Sequence, residues 1–172
     1  MKEDRILRIY TDGGCAGNQS DENLGGWGAI LEFGQAVKEL YGSEKNTTNN
    51  RMELLAAIKG LEAIKWKNAE VEIWSDSSYV VKAINEGWLR KWEAKGFVKV
   101  KNPDLWKRFL MIYRQHHVIF HWLKGHAGHP ENERCDALAV DAGAGAFSRG
   151  EQLPADTGYE DSIAGNQGLF EA

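Results

Sequence analysis

The chain of 172 residues is the size of one ordinary domain and is long enough to bury a hydrophobic core. Its hydrophobic content of 42% and charged content of 27% are typical of a globular protein, and no apolar run approaches the roughly 18 residues of a membrane-spanning helix. The charged start, residues 2–5, is unlike a signal peptide, so we expect a cytoplasmic protein that does not bind membranes. In that compartment Cys15 and Cys135 are expected to be free thiols.

The net charge of −4 is unevenly distributed along the chain. Residues 150–172 contain acidic residues but no lysine or arginine, so residues 1–149 are close to neutral. Residues 88–108, called the basic segment below, combine cations with tryptophans, which is compatible with a nucleic-acid partner. We expect residues 1–158 to form one folded domain and 159–172 to be a weakly ordered acidic extension, either a spacer or a docking peptide for a protein partner.

The first predicted element is a central strand at residues 6–10, because its apolar residues would be buried on both faces of a sheet. Asp12 follows this strand and is itself followed by Gly13 and Gly14. Glycine has no Cβ, so a ligand can approach the backbone closely beside the carboxylate. Aspartate before glycine is also ordinary turn chemistry, so Asp12 alone does not establish a site.

A hairpin and a helix are predicted next. The hairpin consists of a strand at residues 25–33, a two-residue turn at 34–35 and an antiparallel strand at 36–41. Apolar residues at helical spacing predict a helix over residues 50–64, with Asn50 as its cap and Glu53 on its first turn.

A second carboxylate, Asp76, follows a strand predicted at residues 71–74, and Ser77 is placed to cap a helix at 78–85. A strand, a helix and a strand in succession imply a right-handed crossover, so this strand would lie parallel to the first. Because parallel neighbours end at the same edge of a sheet, Asp12 and Asp76 are predicted to lie together there.

The remaining elements are a helix at 105–114, a strand at 118–123, a glycine-containing loop at 124–129 and a helix that begins at Pro130. Asp136 lies beside the apolar stripe of that last helix, so it can reach the edge of a cleft without joining the core. His126 stands in the loop, and histidine titrates near neutral pH, so it could transfer protons. A loop histidine is, however, more often only a surface residue.

The four carboxylates of Asp12, Glu53, Asp76 and Asp136 would repel one another unless cations lay between them. Ligand sets made only of oxygen favour hard ions such as Mg²⁺, with Mn²⁺ as a substitute. Two such ions about 3.5–4 Å apart can promote in-line hydrolysis of a phosphodiester. Taken singly, Glu53 and Asp136 are also explained as solvated helix residues and Asp76 as a capping residue.

Four stretches together resemble the motif blocks of one known family. They are Tyr10-Thr11-Asp12-Gly13, residues 47–54, Ser75-Asp76-Ser77 and residues 125–136. In order and spacing they resemble the type 1 ribonucleases H, most of all the free-standing bacterial enzymes. The resemblance implies an α/β fold, a five-stranded mixed sheet of three antiparallel and two parallel strands flanked by helices. The metal-binding catalytic acids that it implies are Asp12, Glu53, Asp76 and Asp136, with His126 as the loop histidine for proton transfer or product release.

Members of that family cut RNA only when it is paired with DNA, so the site must sense the 2′-hydroxyl of one strand. Backbone groups beside Asp12, together with asparagine amides, suit contacts with sugars and groove edges, while the basic segment would grip DNA phosphates. The substrate contacts implied by the resemblance are Gly13, Gly14, Cys15, Asn18, Thr48, Asn49, Asn50, Trp88, Trp92 and Asn102. Asn50 is also explained as a helix cap, and Trp88 and Trp92 are equally well explained by packing.

The sequence therefore predicts a monomeric endonuclease that uses two Mg²⁺ ions to hydrolyse the RNA strand of RNA/DNA hybrids. Like the family, it would leave 5′-phosphate and 3′-hydroxyl ends. A module that only binds hybrids is disfavoured, because binding alone has no use for four separated acids. A relative that cuts DNA, such as an integrase-like or junction-resolving nuclease, is disfavoured because glycines facing a 2′-hydroxyl would then lack a purpose.

Overall fold

The computed structural model describes residues 5–16, 23–123 and 129–158, and none of its helices is long and apolar enough to cross a membrane. The strands are β1 (Ile6–Ala16), β2 (Leu24–Phe33), β3 (Ala36–Lys45), β4 (Glu70–Ser75) and β5 (His117–Trp122). The helices are α1 (Asn49–Glu62), α2 (Ser78–Asn85), α3 (Trp88–Ala94), α4 (Pro103–Tyr113), α5 (Pro130–Val140) and α6 (Ala146–Ser148), and a π-helical turn (Asp141–Gly145) joins the last two.

The strands form one five-stranded sheet in the order β3-β2-β1-β4-β5. Neighbours β1, β2 and β3 are antiparallel, whereas β4 and β5 continue parallel to β1. This mixed sheet confirms the predicted fold. The strand β1 is longer than expected, because Asp12 and Gly13 still pair with Gly28 and Trp27 of β2. The alternative explanation, in which Asp12 and Gly13 form a turn, is therefore excluded.

Helix α1 packs on one face of the sheet through a row of buried aliphatic side chains, Leu54, Leu55, Ile58 and Leu61. It begins after Thr48, whose backbone is extended (φ −136°, ψ 162°) and whose hydroxyl accepts a hydrogen bond from the Arg51 N–H at 3.1 Å. That geometry is the standard side-chain cap of a helix N-terminus. The prediction of Asn50 as the cap was wrong, since Asn50 already lies on the first helical turn. Ser77 caps α2 as predicted.

Helix α5 covers the other face of the sheet and lies directly on β2. Cys135, a free thiol as predicted, is fully buried there, and its Sγ donates a hydrogen bond to the Tyr10 carbonyl at 3.2 Å. The close approach depends on glycine, because a Cβ added to Gly26 would lie 1.9 Å from the Ala139 carbonyl oxygen. Helix α5 is thereby fixed at a short distance from the sheet.

The basic segment, which has no clear period in its sequence, forms α3, a loop and the start of α4. Trp92 packs its ring 5.7 Å from the fully buried Trp106, whereas Trp88 is 36% exposed. Packing thus accounts for Trp92, while Trp88 presents part of its ring at the surface. The exposed cations of the segment are Arg90, Lys91, Lys95, Lys99, Lys101 and Lys107.

Replacing Gly26 with alanine is expected to destabilise the fold by about 1–3 kcal/mol or more, because the new methyl group overlaps the α5 backbone, which cannot move without breaking its packing. Urea denaturation measures this loss. Gly14→Ala is the control, since its Cβ would meet only the Asn49 Oδ1, at 3.9 Å, and its cost should stay within about 0.5 kcal/mol. Equal destabilisation by both variants would contradict the close approach of α5.

Candidate active site

Three carboxylates meet at one edge of the sheet. Asp12 lies in β1, Asp76 directly follows β4, and Glu53 projects from the first turns of α1. One oxygen from each lies within 4.8 Å of the others. The parallel pairing of β1 and β4, with Thr11 beside Ser75, brings Asp12 and Asp76 to the same edge as the sequence predicted.

Glu53 reaches this edge because α1 touches β1 without any intervening side chain. A Cβ added to Gly13 would lie 2.4 Å from the Met52 carbonyl carbon and 2.6 Å from the Glu53 nitrogen. The space on the Cβ side of Gly13 is therefore filled by the helix backbone, whereas the sequence had suggested open space there. Gly13 nevertheless lines the cleft. Gly14 has the open surroundings that were predicted for both glycines.

Asp136, the fourth predicted acid, lies on an exposed part of α5. It lines a cavity of about 400 Å³ together with Asp12, Glu53 and Asp76. It does not belong to the tight three-acid cluster, which is the one such group within the described ranges. The four acids thus share a cleft, with three held closely and one at its margin.

Burial and mutual repulsion govern the ionisation of the cluster. Burial, followed by the charge of Asp76, raises the pKa of Asp12 to about 7. Burial, followed by the charges of Asp12 and Asp76, raises the pKa of Glu53 well above its usual range. These acids resist full ionisation when no cation lies between them.

The donors suit a hard divalent cation. The cluster offers only carboxylate oxygens, the ligand type that Mg²⁺ and Mn²⁺ prefer over soft donors. Oε2 of Glu53 is buried and receives no hydrogen bond from the part of the chain described. A cation would supply this oxygen with a partner and would remove the repulsion that raises the pKa values.

A groove of about 250 Å³ continues from the acids along β1. Its lining includes Asp12, Gly14, Cys15, Asn49 and Asp136. The Cys15 N–H donates a hydrogen bond to Asn49 Oδ1 at 2.7 Å, so β1 and the first turn of α1 form one continuous polar wall. This wall places backbone groups and an amide next to the carboxylates.

A family model for RNase H matches residues 4–144. The chain belongs to the ribonuclease H family. Among its relatives, Ribonuclease H of Bradyrhizobium sp. (strain ORS 278) is 51% identical over 146 residues, which cover 82% of this chain and 92% of the relative. Ribonuclease H of Sulfurovum sp. (strain NBC37-1) is 53% identical over 133 residues, covering 77% and 87%.

Solved ribonucleases H share the fold. LC9-RNase H1, a type 1 RNase H with the type 2 active-site motif, matches with a TM-score of 0.74 and 30% identity, covering 94% of this chain and 85% of that one. LC11-RNase H1 in complex with an RNA/DNA hybrid matches with a TM-score of 0.59 and 27% identity, covering 82% and 99%. These findings confirm the resemblance to type 1 ribonucleases H and make the chain an enzyme of that class.

The cleft and the groove are lined by most, but not all, of the residues named from the sequence. Gly13, Gly14, Cys15, Asn49 and Asn50 line the cleft or the groove. Thr48 lies at the helix start, where its hydroxyl serves as the cap of α1. Trp88 and Trp92 lie on α3. His126 and Asn18 fall outside the described residues, so their predicted roles stay predictions.

The Asn102 side chain is turned inward, although the family resemblance implies a substrate contact at this position. It is 8% exposed, its Oδ1 accepts from Arg51 Nη1 at 3.3 Å, and its Nδ2 donates to the Tyr79 hydroxyl at 3.1 Å. Sequence reasoning missed Arg51 itself, which is 1% exposed. The sequence did contain a sign of this burial, because Arg51 lies three residues before Leu54 and so falls on the face of α1 that helical spacing assigns to the core.

Replacing Asp12 with asparagine is expected to raise the free energy of unfolding when divalent ions are chelated. The folded state binds the Asp12 proton more tightly than the unfolded state does, because folding raises the pKa of this carboxyl group to about 7. Ionised Asp12 therefore lowers the free energy of unfolding as pH rises from about 4 through about 7. The shift of Asp12 sets an upper limit of roughly 4 kcal/mol on the gain.

Urea denaturation in EDTA at pH 5 and pH 8 tests this expectation, with a larger gain for Asp12→Asn at pH 8. Glu133→Gln, an exposed acid on α5, is the control and should change stability by less than about 0.5 kcal/mol. An Asp12→Asn variant less stable than the wild type at pH 8 would show that the cluster is not under electrostatic repulsion.

Proposed function

We propose that this chain hydrolyses the RNA strand of RNA/DNA hybrids with two divalent cations, leaving 5′-phosphate and 3′-hydroxyl ends. The observation that carries the proposal is the convergence of Asp12, Glu53 and Asp76 within 4.8 Å, with Asp136 at the same cleft. Relatives about half identical to it are named Ribonuclease H, and LC11-RNase H1 was solved with an RNA/DNA hybrid.

The four acids would hold two Mg²⁺ ions, or Mn²⁺ as a substitute, and these ions supply an activated water and charge stabilisation for the leaving oxygen. Asp12 and Asp76 are fixed by neighbouring strands, and Glu53 is fixed by the contact of α1 with β1. This chain's own contribution is therefore a rigid set of oxygen donors at one edge of the sheet. His126, if it reaches the cleft, would exchange protons with the water or the leaving group.

The groove along β1 would recognise the RNA strand. Backbone groups of Gly14 and Cys15 and the amide of Asn49 line it next to the acids. Backbone and amide groups can both donate to and accept from a 2′-hydroxyl, which distinguishes RNA from DNA. Asn50 at the cleft, and Asn18 and Thr48 by the family pattern, would add further contacts with the hybrid.

The basic segment would bind the DNA strand. Its exposed cations lie on α3, on the loop after it and on α4, and part of the Trp88 ring is available for stacking on a sugar or base. Contacts of this kind add affinity without sequence preference. The monomeric state, the cytoplasmic location and a protein partner for residues 159–172 stay predictions of the sequence.

The decisive assay incubates the chain with Mg²⁺ and labelled RNA/DNA hybrid, double-stranded RNA or double-stranded DNA. We expect cleavage of the hybrid's RNA strand only, with a 5′-phosphate on the downstream product. Asp12→Asn should lower this activity more than about 100-fold, because a charge that orients the reacting centre is removed, while hybrid binding persists. Cleavage of double-stranded DNA would support the DNA-cutting alternative, and normal turnover by Asp12→Asn would remove the proposed mechanism.

The double variant Lys91→Ala/Lys95→Ala is expected to weaken hybrid binding without changing kcat. The slope of log K against log salt should become shallower by about 1 for each of the two lysines that pairs with a phosphate. Fluorescence anisotropy at several salt concentrations measures this slope. Lys67→Ala, an exposed lysine beyond the C-terminal end of α1, is the matched control. An unchanged slope in the double variant would mean that the basic segment does not touch the phosphates.

A further inference from the structure

A buried arginine lies two residues before Glu53. Arg51 is 1% exposed, and each of its five N–H groups donates a hydrogen bond. Two of them go to Asp156, from Nε to Oδ2 at 2.6 Å and from Nη2 to Oδ1 at 3.0 Å. Two more go to Asp104, at 2.9 and 2.7 Å, and one goes to Asn102. The guanidinium is fully satisfied inside the protein.

Asp156 comes from the end of the described chain, the segment of residues 153–158, which lies along β3. The Pro154 carbonyl accepts from the Lys45 N–H at 2.8 Å, and the Asp156 N–H donates to the Lys45 carbonyl at 2.9 Å. The Asp156 carboxylate, 6% exposed, also accepts from the Thr47 hydroxyl at 2.7 Å. The Asp156 carboxylate thus links Thr47, the residue before the Thr48 cap, to Arg51 on the first turn of α1.

The charge of Asp156 is held in place by these donors. Burial raises the pKa of Asp156, but the hydrogen bonds from Arg51 and Thr47 outweigh it and the net shift is downward. A buried ion pair contributes little net free energy compared with a well-packed apolar pair, but it holds its partners in one geometry. The contact is therefore better explained by positioning than by stability.

The bonds of Arg51 give the first turn of α1 a second support, in addition to its backbone contact with Gly13. This turn carries Glu53, whose carboxylate lies within 4.8 Å of those of Asp12 and Asp76, and like charges at that distance favour displacement of the helix start from β1. The residues before Arg51 on this turn, Asn49 and Asn50, are exposed and add no apolar packing. The bonds of Arg51 to Asp156 and Asp104 oppose that displacement from the side remote from the acids.

We propose that Asp156 is a positioning residue of the active site, which through Arg51 and Thr47 fixes the start of α1 and hence the place of Glu53 beside Asp12 and Asp76. The inference rests on the proposed function, because it gives the C-terminal segment a part in cleavage. Arg51 also bonds Asn102 and Asp104 at the start of α4, so the same guanidinium ties the end of the basic segment to the helix that carries Glu53.

The test is Asp156→Asn, which keeps the shape of the side chain and removes its charge. We expect kcat on a hybrid to fall about 10-fold and the Mg²⁺ concentration for half-maximal activity to rise by a similar factor, as when a residue behind a metal ligand is changed. KM for the hybrid should stay within about twofold, because phosphate contacts elsewhere dominate binding. Asp141→Asn, which weakens an exposed pair with Arg149, is the matched control and should leave all three unchanged.

Amide hydrogen exchange without Mg²⁺ gives a readout independent of cleavage. The Met52 N–H, bonded to the Thr48 carbonyl at 3.1 Å, should exchange at least about 10-fold faster in Asp156→Asn. The Val81 N–H at the equivalent place in α2 should be unchanged. Thr47→Val, which keeps the ion pair and removes one hydrogen bond, should show the same effects at smaller size, and it serves as the test if Asp156→Asn fails to fold.

Unchanged kcat and Mg²⁺ requirement in a folded Asp156→Asn would overturn the proposal. Equally faster exchange of the Met52 and Val81 N–H groups would also overturn it, since that result would indicate a general loss of stability of the fold. A wild-type chain that does not cleave hybrids would instead refute the proposed function, and the exchange experiment would still decide whether Asp156 holds the start of α1.

Discussion

The forced proximity of three like charges is the constraint on which the rest of the structure depends. The carboxylates of Asp12, Glu53 and Asp76 lie within 4.8 Å of one another and are largely withdrawn from water. Both repulsion and desolvation oppose their ionisation, so the site works against the stability of the fold. The molecule tolerates this because α1 meets β1 backbone to backbone at Gly13, and the apolar face behind it holds the helix against the sheet.

A glycine allows close contact between a helix and the sheet on both faces of the sheet. Gly13 lets α1 touch β1 on one face, and Gly26 lets α5 touch β2 on the other. Each helix carries one acid, Glu53 or Asp136, to the edge where β1 and β4 already present theirs. Two close backbone contacts therefore set the distance of both helices from the sheet, and the side-chain bonds of Arg51 add a further support at the start of α1.

The sequence predicted the parts of this arrangement that depend on local pattern. Alternating strands, helical spacing and the strand, helix and strand order indicated the hairpin, the parallel strand pair and the meeting of Asp12 with Asp76. The complete mixed sheet was implied by the resemblance to ribonucleases H. The start of α1 was not predictable in the same way, since Thr48 and Asn50 both satisfy the rules for a cap. The choice of Thr48 depends on the path of Thr47, whose backbone is held by Asn23 at 2.8 and 2.7 Å from a distant part of the chain.

Asp156 was hidden from sequence reasoning for a related reason. It lies in a stretch whose acids outnumber its bases, and composition assigns such acids to solvent. Its partner Arg51 is 105 residues away, and only the fold brings the pair together. A charge that composition assigns to solvent can thus be buried once a single arginine satisfies it. Because Arg51 and Glu53 share one helical turn, the sequence block 47–54 carries both Glu53, an acid of the site, and Arg51, the residue that anchors the helix start.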